Sequence, residues 1–189
     1  MFPWVGAGDK AYVRYMLKEW GVPVHDDRRL FEMLALECFQ AGLSWACILK
    51  RRSAFRRAFS NWRLSAIAAY DANDRARLMQ DSSIIRNARK IDAVISNASA
   101  ALKVQREFGS LDAYFWSFVN GRPITRNSHC KRWEDLPAQS EESKRMAADL
   151  KARGFRFVGP IGCYAFMQAA GLANDRIFEL NPRFAFEKR

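Results

Sequence analysis

One carboxylate stands among apolar neighbours in Leu36-Glu37-Cys38-Phe39-Gln40. Buried carboxylates are rare unless paired or functional. Glu37 is therefore a site residue, an exposed helix residue or the partner of an arginine. Upstream, Tyr12 and Tyr15 share a helix face at i, i+3. Two hydroxyl-bearing rings can line a pocket for a flat base, or they can be half-buried packing residues. After the helix that carries Glu37, Gly42-Leu43-Ser44 makes a tight turn with one protruding apolar residue. Such a tip can wedge into a base stack; in an ordinary turn Leu43 is buried instead. Further on, Lys151-Ala152-Arg153-Gly154-Phe155-Arg156-Phe157-Val158-Gly159-Pro160 reads as a helix, a glycine-bounded hairpin and a second helix. A hairpin feeding a helix N-terminus offers backbone N–H groups and a favourable dipole to an anion, and Lys151, Arg153 and Arg156 add charge. That is the layout of a helix-hairpin-helix clamp on a nucleic-acid backbone.

The elements that position these residues read as helices throughout. Asp26 and Asp27 are cap candidates for a helix over 26–41, in which Leu30, Phe31, Leu34 and Cys38 recur at helical spacing and Gly42 ends the run. Ser44 opens the next, carrying Trp45, Ile48 and Leu49. Ser65 and Asp71 each open a short stretch. A long amphipathic helix is predicted over 83–107 from Ile84, Ile85, Ile91, Val94, Ile95, Ala98 and Leu102. Ser110 caps the segment with Tyr114 and Phe115. Residues 121–138, with glycine, two prolines and polar residues, form a loop. Ser140 starts a helix closed by Gly154, and Pro160 suits the first turn of a last helix ending at Gly171. No segment alternates like a strand, so the fold class is all-α, one domain over residues 1–189.

Bulk properties narrow the partner. Aromatic residues (14 Phe, 6 Trp, 5 Tyr) are ample for a packed core and argue against disorder. Lys and Arg total 31 against 20 acidic residues, a formal charge of +11 that implies attraction to a polyanion, usually nucleic acid. An anionic membrane is disfavoured, because no basic amphipathic anchor or apolar run of spanning length is present. Arg51, Arg52, Arg56 and Arg57 either track phosphates or form a solvated helix face, and Arg86, Arg89 and Lys90 read similarly. Cys38, Cys47, Cys130 and Cys163 form no CxxC pair and fit a reduced, cytoplasmic protein. A monomer is expected, since no long heptad pattern occurs.

Taken together, these segments resemble the DNA-3-methyladenine glycosylase I family. The matching pieces are EWGVP at 19–23, LE-x-x-QAGLSW at 36–45, IIRN-x-x-KI at 84–91, FGS-x-x-x-YFWSFV at 108–119, LKARGFRFVGP at 150–160 and YAFMQAAGLAND at 164–175. They keep the family's order over nearly the whole chain. The resemblance implies a helix-hairpin-helix fold with the base pocket between two helical lobes. It implies a monofunctional glycosylase that removes 3-methyladenine from alkylated double-stranded DNA. Glu37 and Tyr15 are the implied catalytic residues; Tyr12, Trp45 and Trp4 would bind the base, although Trp4 is one residue farther from Asp9 than the pattern. Gly42 and Leu43 would fill the gap in the duplex, and Arg153, Gly154, Arg156 and Gly159 would hold its backbone. A paralogue for a different alkyl adduct and a lesion-binding pseudoenzyme are the alternatives. Asp175 receives no role.

The sequence departs from this family at its zinc clasp. The resemblance implies two Cys and two His ligands. Met16 and Arg176 occupy the histidine positions, Leu17 replaces the usual following Asp, and neither cysteine is present in Met1–Trp4 or in 177–182. His25 and His129 lack metal-ligand spacing. No metal or other cofactor is expected. The apolar tail residues Ile177, Phe178, Leu180, Phe184 and Phe186 are expected to pack against Met16, Leu17 and Trp4 instead.

Overall fold

The computed structural model describes residues 9–125 and 136–175. Helix starts follow the caps. Asp9 accepts from the Tyr12 amide and opens α1 (Lys10–Lys18). Asp26 opens α2 (Asp27–Gln40), and Ser44 opens α3 (Trp45–Ala58), each accepting an amide three residues on. The short α4 (Leu64–Ala68) starts behind Arg63 with no side-chain cap, so Ser65 lies inside it rather than opening it. Asp71 and Asp74 form a capping box at α5 (Ala72–Gln80). Then come α6 (Ala88–Phe108), α7 (Leu111–Ser117), α8 (Glu141–Ala152) and α9 (Pro160–Ala169), the last with its proline in the first turn. The long helix is shorter than its apolar pattern predicts. Asn87 accepts from the Lys90 amide and fixes the start of α6 at Ala88. Ile84 still reaches the core, but from the turn after Asp81 rather than from a helix. Among the described residues, β structure is limited to one isolated bridge between Ile124 and Ala173.

α2 is the hub. Nine of its fourteen residues are buried, so it is encased rather than laid on a surface. It packs against α3, α6, α7 and α9, while α8 pairs with α9 and α4 with α6. Phe39 of α2 packs in series with Phe55, Phe59 and Trp62, with the Phe59 and Trp62 rings nearly parallel at 5.3 Å. Truncating one such ring to alanine removes roughly 3–5 kcal/mol. α1 is outside this core. Its Tyr12, Tyr15 and Met16 make a second cluster with Leu17, Trp20, Trp45, Leu49 and Leu136.

Two polar devices hold the layers in register. Glu32, on α2 and 2 % exposed, accepts from Arg52 Nε at 2.9 Å and Arg56 Nε at 2.7 Å, and Arg52 also donates to Glu19 at 2.6 Å. Two of the four arginines in the basic run are therefore committed to braces: Arg52 is nearly buried, and Arg56 is tied to Glu32 while its side chain stays partly exposed. The second device is the strap Gly21–Val24. The Gly21 amide donates to Ala169 O at 3.3 Å and the Val24 amide to Ala170 O at 3.0 Å. Gly171 follows with φ +78°, and a Cβ there would meet Pro23 N at 2.5 Å and Val22 C at 2.6 Å. Only glycine fits so close an approach.

Candidate functional site

α1, the C-terminal turn of α2, the start of α3 and α9 converge on one cleft of about 340 Å³, at the lower end of the range of ligand pockets. Tyr12, Tyr15, Glu37 and Trp45 line it together, the grouping that the family resemblance implies and that spacing alone left open. Helical periodicity accounts for the grouping. Tyr12 and Tyr15 lie one turn apart on α1, and Glu37 is the α2 residue that faces the cleft while Leu36, Cys38 and Phe39 enter the core. The rings lie tilted around the space: Tyr12 to Tyr15 at 6.5 Å between centroids, Tyr15 to Trp45 at 5.6 Å. Gln40, Gln168, Trp20 and Ala165 complete the wall with Met16, Leu136 and Pro137. Sequence reasoning did not single out Gln40 or Gln168, though both stand inside the matched phrases QAGLSW and YAFMQAAGL.

The cleft is electrostatically unusual. Burial pushes the Glu37 carboxyl up to about 8, with no cationic partner among the described residues to offset it. The same desolvation, aided by the nearby Glu37 charge, pushes Tyr12 up to about 12 and Tyr15 well above its ordinary value. Two wall atoms, Tyr15 Oη and Trp45 Nε1, are buried without a hydrogen-bond partner among the described residues. Unsatisfied buried donors are costly, and here they belong to the same cleft as a carboxyl that lacks a counter-ion. The cleft thus matches a flat, polar and cationic ligand: rings for its faces, a carboxylate for its charge, a hydroxyl and an indole N–H for its edge.

Asp175 is buried near this wall and committed. It accepts from Tyr164 Oη at 2.5 Å and from Gln168 Nε2 at 2.9 Å, so it orients a cleft glutamine rather than facing the cleft itself.

The turn Ala41–Ser44 is exposed, with Gly42 at φ +79° and Leu43 open to solvent, so Leu43 protrudes and is not a core residue. The second surface feature is the hairpin between α8 and α9. Gly154 takes φ +88°, Phe157 takes φ +57° and is exposed, and Ile161 is more exposed still. No side chain caps α9, and a Cβ at Gly159 or Gly162 would meet nothing within 4 Å, so the start of this helix is open. Arg156 is exposed there. Arg153 is already paired: its guanidinium is tied to Glu107 at 2.6 and 3.1 Å and to Asp149 at 2.6 Å, over the Phe108 and Tyr114 rings, so it braces the hairpin.

At the clasp position, Met16 is 3 % exposed within the apolar cluster of α1, and Leu17 packs beside it. Among the described residues, no three His, Cys, Asp or Glu side chains group to hold a metal. These surroundings do not fit a zinc ligand set. Trp4, Arg176 and the apolar tail lie outside the described residues. Cys38 and Cys163 are buried free thiols, each pushed up to about 12 by burial. No helix among the described residues is long and apolar enough to cross a membrane.

Comparison with known proteins agrees with this geometry. Residues 4–181 match the family model for methyladenine glycosylase. The chain is 41 % identical to the DNA-3-methyladenine glycosylase of Haemophilus influenzae, over 93 % of both chains. It is also 41 % identical to DNA-3-methyladenine glycosylase 1 of Escherichia coli, over 92 % of this chain and 91 % of that one. Among solved structures, a crystal structure of 3-methyladenine DNA glycosylase I superposes with a TM-score of 0.87 at 44 % identity, over 92 % of this chain and 94 % of that one. The Staphylococcus aureus enzyme, solved for its recognition of 3-methyladenine, gives 0.89 at 34 %, over 94 % and 93 %. The chain belongs to the methyladenine glycosylase family.

Proposed function

We propose that this protein is a monofunctional glycosylase that hydrolyses the N-glycosidic bond of 3-methyladenine in alkylated duplex DNA, and that it works without zinc. The observation that carries the reading is the isolated Glu37 carboxyl in a cleft walled by Tyr12, Tyr15 and Trp45. A base inside a duplex is unreachable, so it must be flipped into such a cleft. Methylation at N3 makes the base cationic and a good leaving group. Its arrival lowers the proton affinity of Glu37, and the resulting carboxylate and ring faces hold the cation. As the glycosidic bond breaks, its electron pair leaves with the base, and positive charge grows on the sugar. Glu37 stabilises that charge in a water-poor site. Water then adds at the anomeric carbon and releases its proton to solvent. Among the described residues, no lysine lines the cleft as a Schiff-base nucleophile. Tyr15 assists Glu37, and Trp45 and Tyr12 stack on the base; Trp4, the remaining base-binding candidate, lies outside the described residues.

Outside the cleft, Gly42 and Leu43 fill the gap left by the base, while Gly154, Gly159, Arg156 and the open end of α9 grip the backbone. Met16 and Arg176 at the clasp positions support a zinc-free termination of the fold. Chromosomal DNA as substrate places the protein in the cytoplasm, and we take it to act as a monomer. The test is release of free 3-methyladenine from methylated duplex DNA by the wild type and by Glu37→Gln, each with added zinc or chelator. Release that is abolished in Glu37→Gln and indifferent to metal is the expected result. Intact DNA binding with no release by the wild type would transfer the assignment to another adduct or to lesion binding alone.

A further inference from the structure

Two buried polar side chains on α6 serve no purpose in the cleft, yet each holds one of the surface segments just described. Lys90 is 6 % exposed. Its ammonium donates to Phe39 O at 2.8 Å and to Ala41 O at 2.6 Å. These carbonyls belong to the end of α2 and to the first residue of the protruding turn. A helix leaves its last carbonyls unpaired and partly negative, so a buried ammonium is well placed there. Among the described residues Lys90 makes no ion pair, and its only hydrogen bonds from Nζ go to this turn. From the other side, Gln40 Nε2 donates to Leu43 O at 3.0 Å and the Leu43 amide to Gln40 O at 2.6 Å, closing the turn that exposes Leu43. Basic residues in IIRNARK thus split: Arg86 and Arg89 are exposed, whereas Lys90 is turned inward.

Asn97 is 1 % exposed and holds the hairpin in the same manner. Its Nδ2 donates to Arg156 O at 3.1 Å, and the Arg156 amide donates back to Asn97 Oδ1 at 2.8 Å. This two-bond clasp fixes the backbone immediately before Phe157, the residue held at φ +57°. Lys90 and Asn97 are seven residues apart, which on an α-helix is the same face and roughly 10–11 Å along the axis. The residues between and around them on that face, Ile91, Val94, Ala98 and Ala101, are fully buried, so the helix cannot slide or roll without opening the core.

We propose that α6 is the gauge that sets the Leu43 turn against the hairpin, with Lys90 and Asn97 as positioning residues that make the two surfaces engage one duplex at once although neither touches it. The inference rests on the glycosylase reading above. An intercalating tip and a backbone grip act on the same rigid rod, so their separation decides whether the flipped base arrives at the cleft. Misplacing a group far from the chemistry by about an ångström costs on the order of a hundredfold in rate.

The experiment compares wild type, Lys90→Met, Lys90→Arg, Asn97→Leu and the double variant Lys90→Met/Asn97→Leu. Three quantities are read well below each variant's melting temperature. They are excision of 3-methyladenine from methylated duplex, binding of free 3-methyladenine followed by tryptophan fluorescence, and the fluorescence rise of 2-aminopurine placed beside the lesion as the stack opens. In Lys90→Met, duplex excision and the 2-aminopurine amplitude should fall together, by about tenfold or more in rate, while free-base binding stays within about twofold. Lys90→Arg keeps the charge and donors and should restore most of the rate. Because both residues set one distance, the double variant should lose clearly less than the product of the two single losses. Multiplicative losses, or free-base binding that falls in step with duplex excision, would reduce the pair to separate structural props and overturn the proposal. No excision by the wild type would instead sink the glycosylase reading, and this inference with it.

Discussion

Replacing Glu37 by glutamine should make the protein more stable, and increasingly so as pH rises. The carboxyl ordinarily titrates near 4.5 and is pushed up to about 8 in the folded chain. A raised folded value means that the native state holds a proton the unfolded chain has lost. The associated stabilisation is complete below about pH 4.5 and drains away as pH climbs through about 8. At about 1.4 kcal/mol per pH unit, the loss between pH 6 and pH 8 is about 2 kcal/mol, after allowing for partial ionisation near pH 8. Glutamine keeps the shape and never ionises, so this slope vanishes in Glu37→Gln. For a chain of this size, 1 kcal/mol moves the midpoint by roughly 2–4 °C, so the melting advantage of the variant should widen by roughly 4–8 °C from pH 6 to pH 8. Differential scanning calorimetry of both proteins across that range, without DNA, reads it directly. A constant offset between the two curves would refute the claim that Glu37 is buried without a counter-ion. The cationic-base argument would then lose its physical basis.

The same carboxyl predicts that kcat/KM on methylated duplex rises with pH toward about 8 and levels beyond it, since the ionised form holds the cation; a profile flat from pH 6 to 9 would contradict this. Gly171→Ala forces a left-handed φ on alanine and drives its Cβ into the Val22–Pro23 backbone, so urea titration should show a loss of about 3 kcal/mol or more. A smaller loss would mean that the strap yields easily. Glu32→Gln leaves Arg52, 12 % exposed, with half its partners, and should cost about 3 kcal/mol at pH 7 in the same titration. Arg52 and Arg56 hold the Glu32 carboxyl below its ordinary range, so its contribution is present above about pH 4.5 and is lost as pH falls further. The difference between Glu32→Gln and wild type should therefore shrink in acid.

Local chemistry was the legible part of the sequence. Asp26, Ser44, Ser110 and Ser140 announce helix starts because a cap is a contact between residues three apart, and the structure places each where its type suggests. The Tyr12, Tyr15, Glu37 and Trp45 grouping was legible through phrases that travel together. Contacts between distant segments were not. Nothing adjacent to Arg52 or Arg153 reveals that Glu19, Glu32 and Glu107 await them across helix interfaces, so both arginines read as surface charge. Lys90 misleads for the same reason: its partners are carbonyls, which every residue has, and only the geometry of the α2 terminus makes these two special. Ile84 and Ile85 prolong an apolar rhythm past the point where Asn87 has already begun the helix, because a turn can bury side chains at helical spacing too.

The strap joining Gly21–Val24 to Ala169–Gly171 also bears on the order of assembly. Its hydrogen bonds connect residues about 146 positions apart in the chain, Val24 to Ala170, and Ile124 docks on the same terminal stretch through Leu172 and Asn174. Contacts of such long sequence separation form late, after local helices have condensed. During synthesis, the cleft wall contributed by Ala165 and Gln168 leaves the ribosome after α1 to α8, and the segment that anchors the carboxyl end of α1 has nothing to grip until then. Glu37 is therefore hydrated and ordinary in the nascent chain. It becomes a perturbed acid only when α9 closes over it, which makes the chemistry of the cleft a property of the packed helices and not of α2 alone.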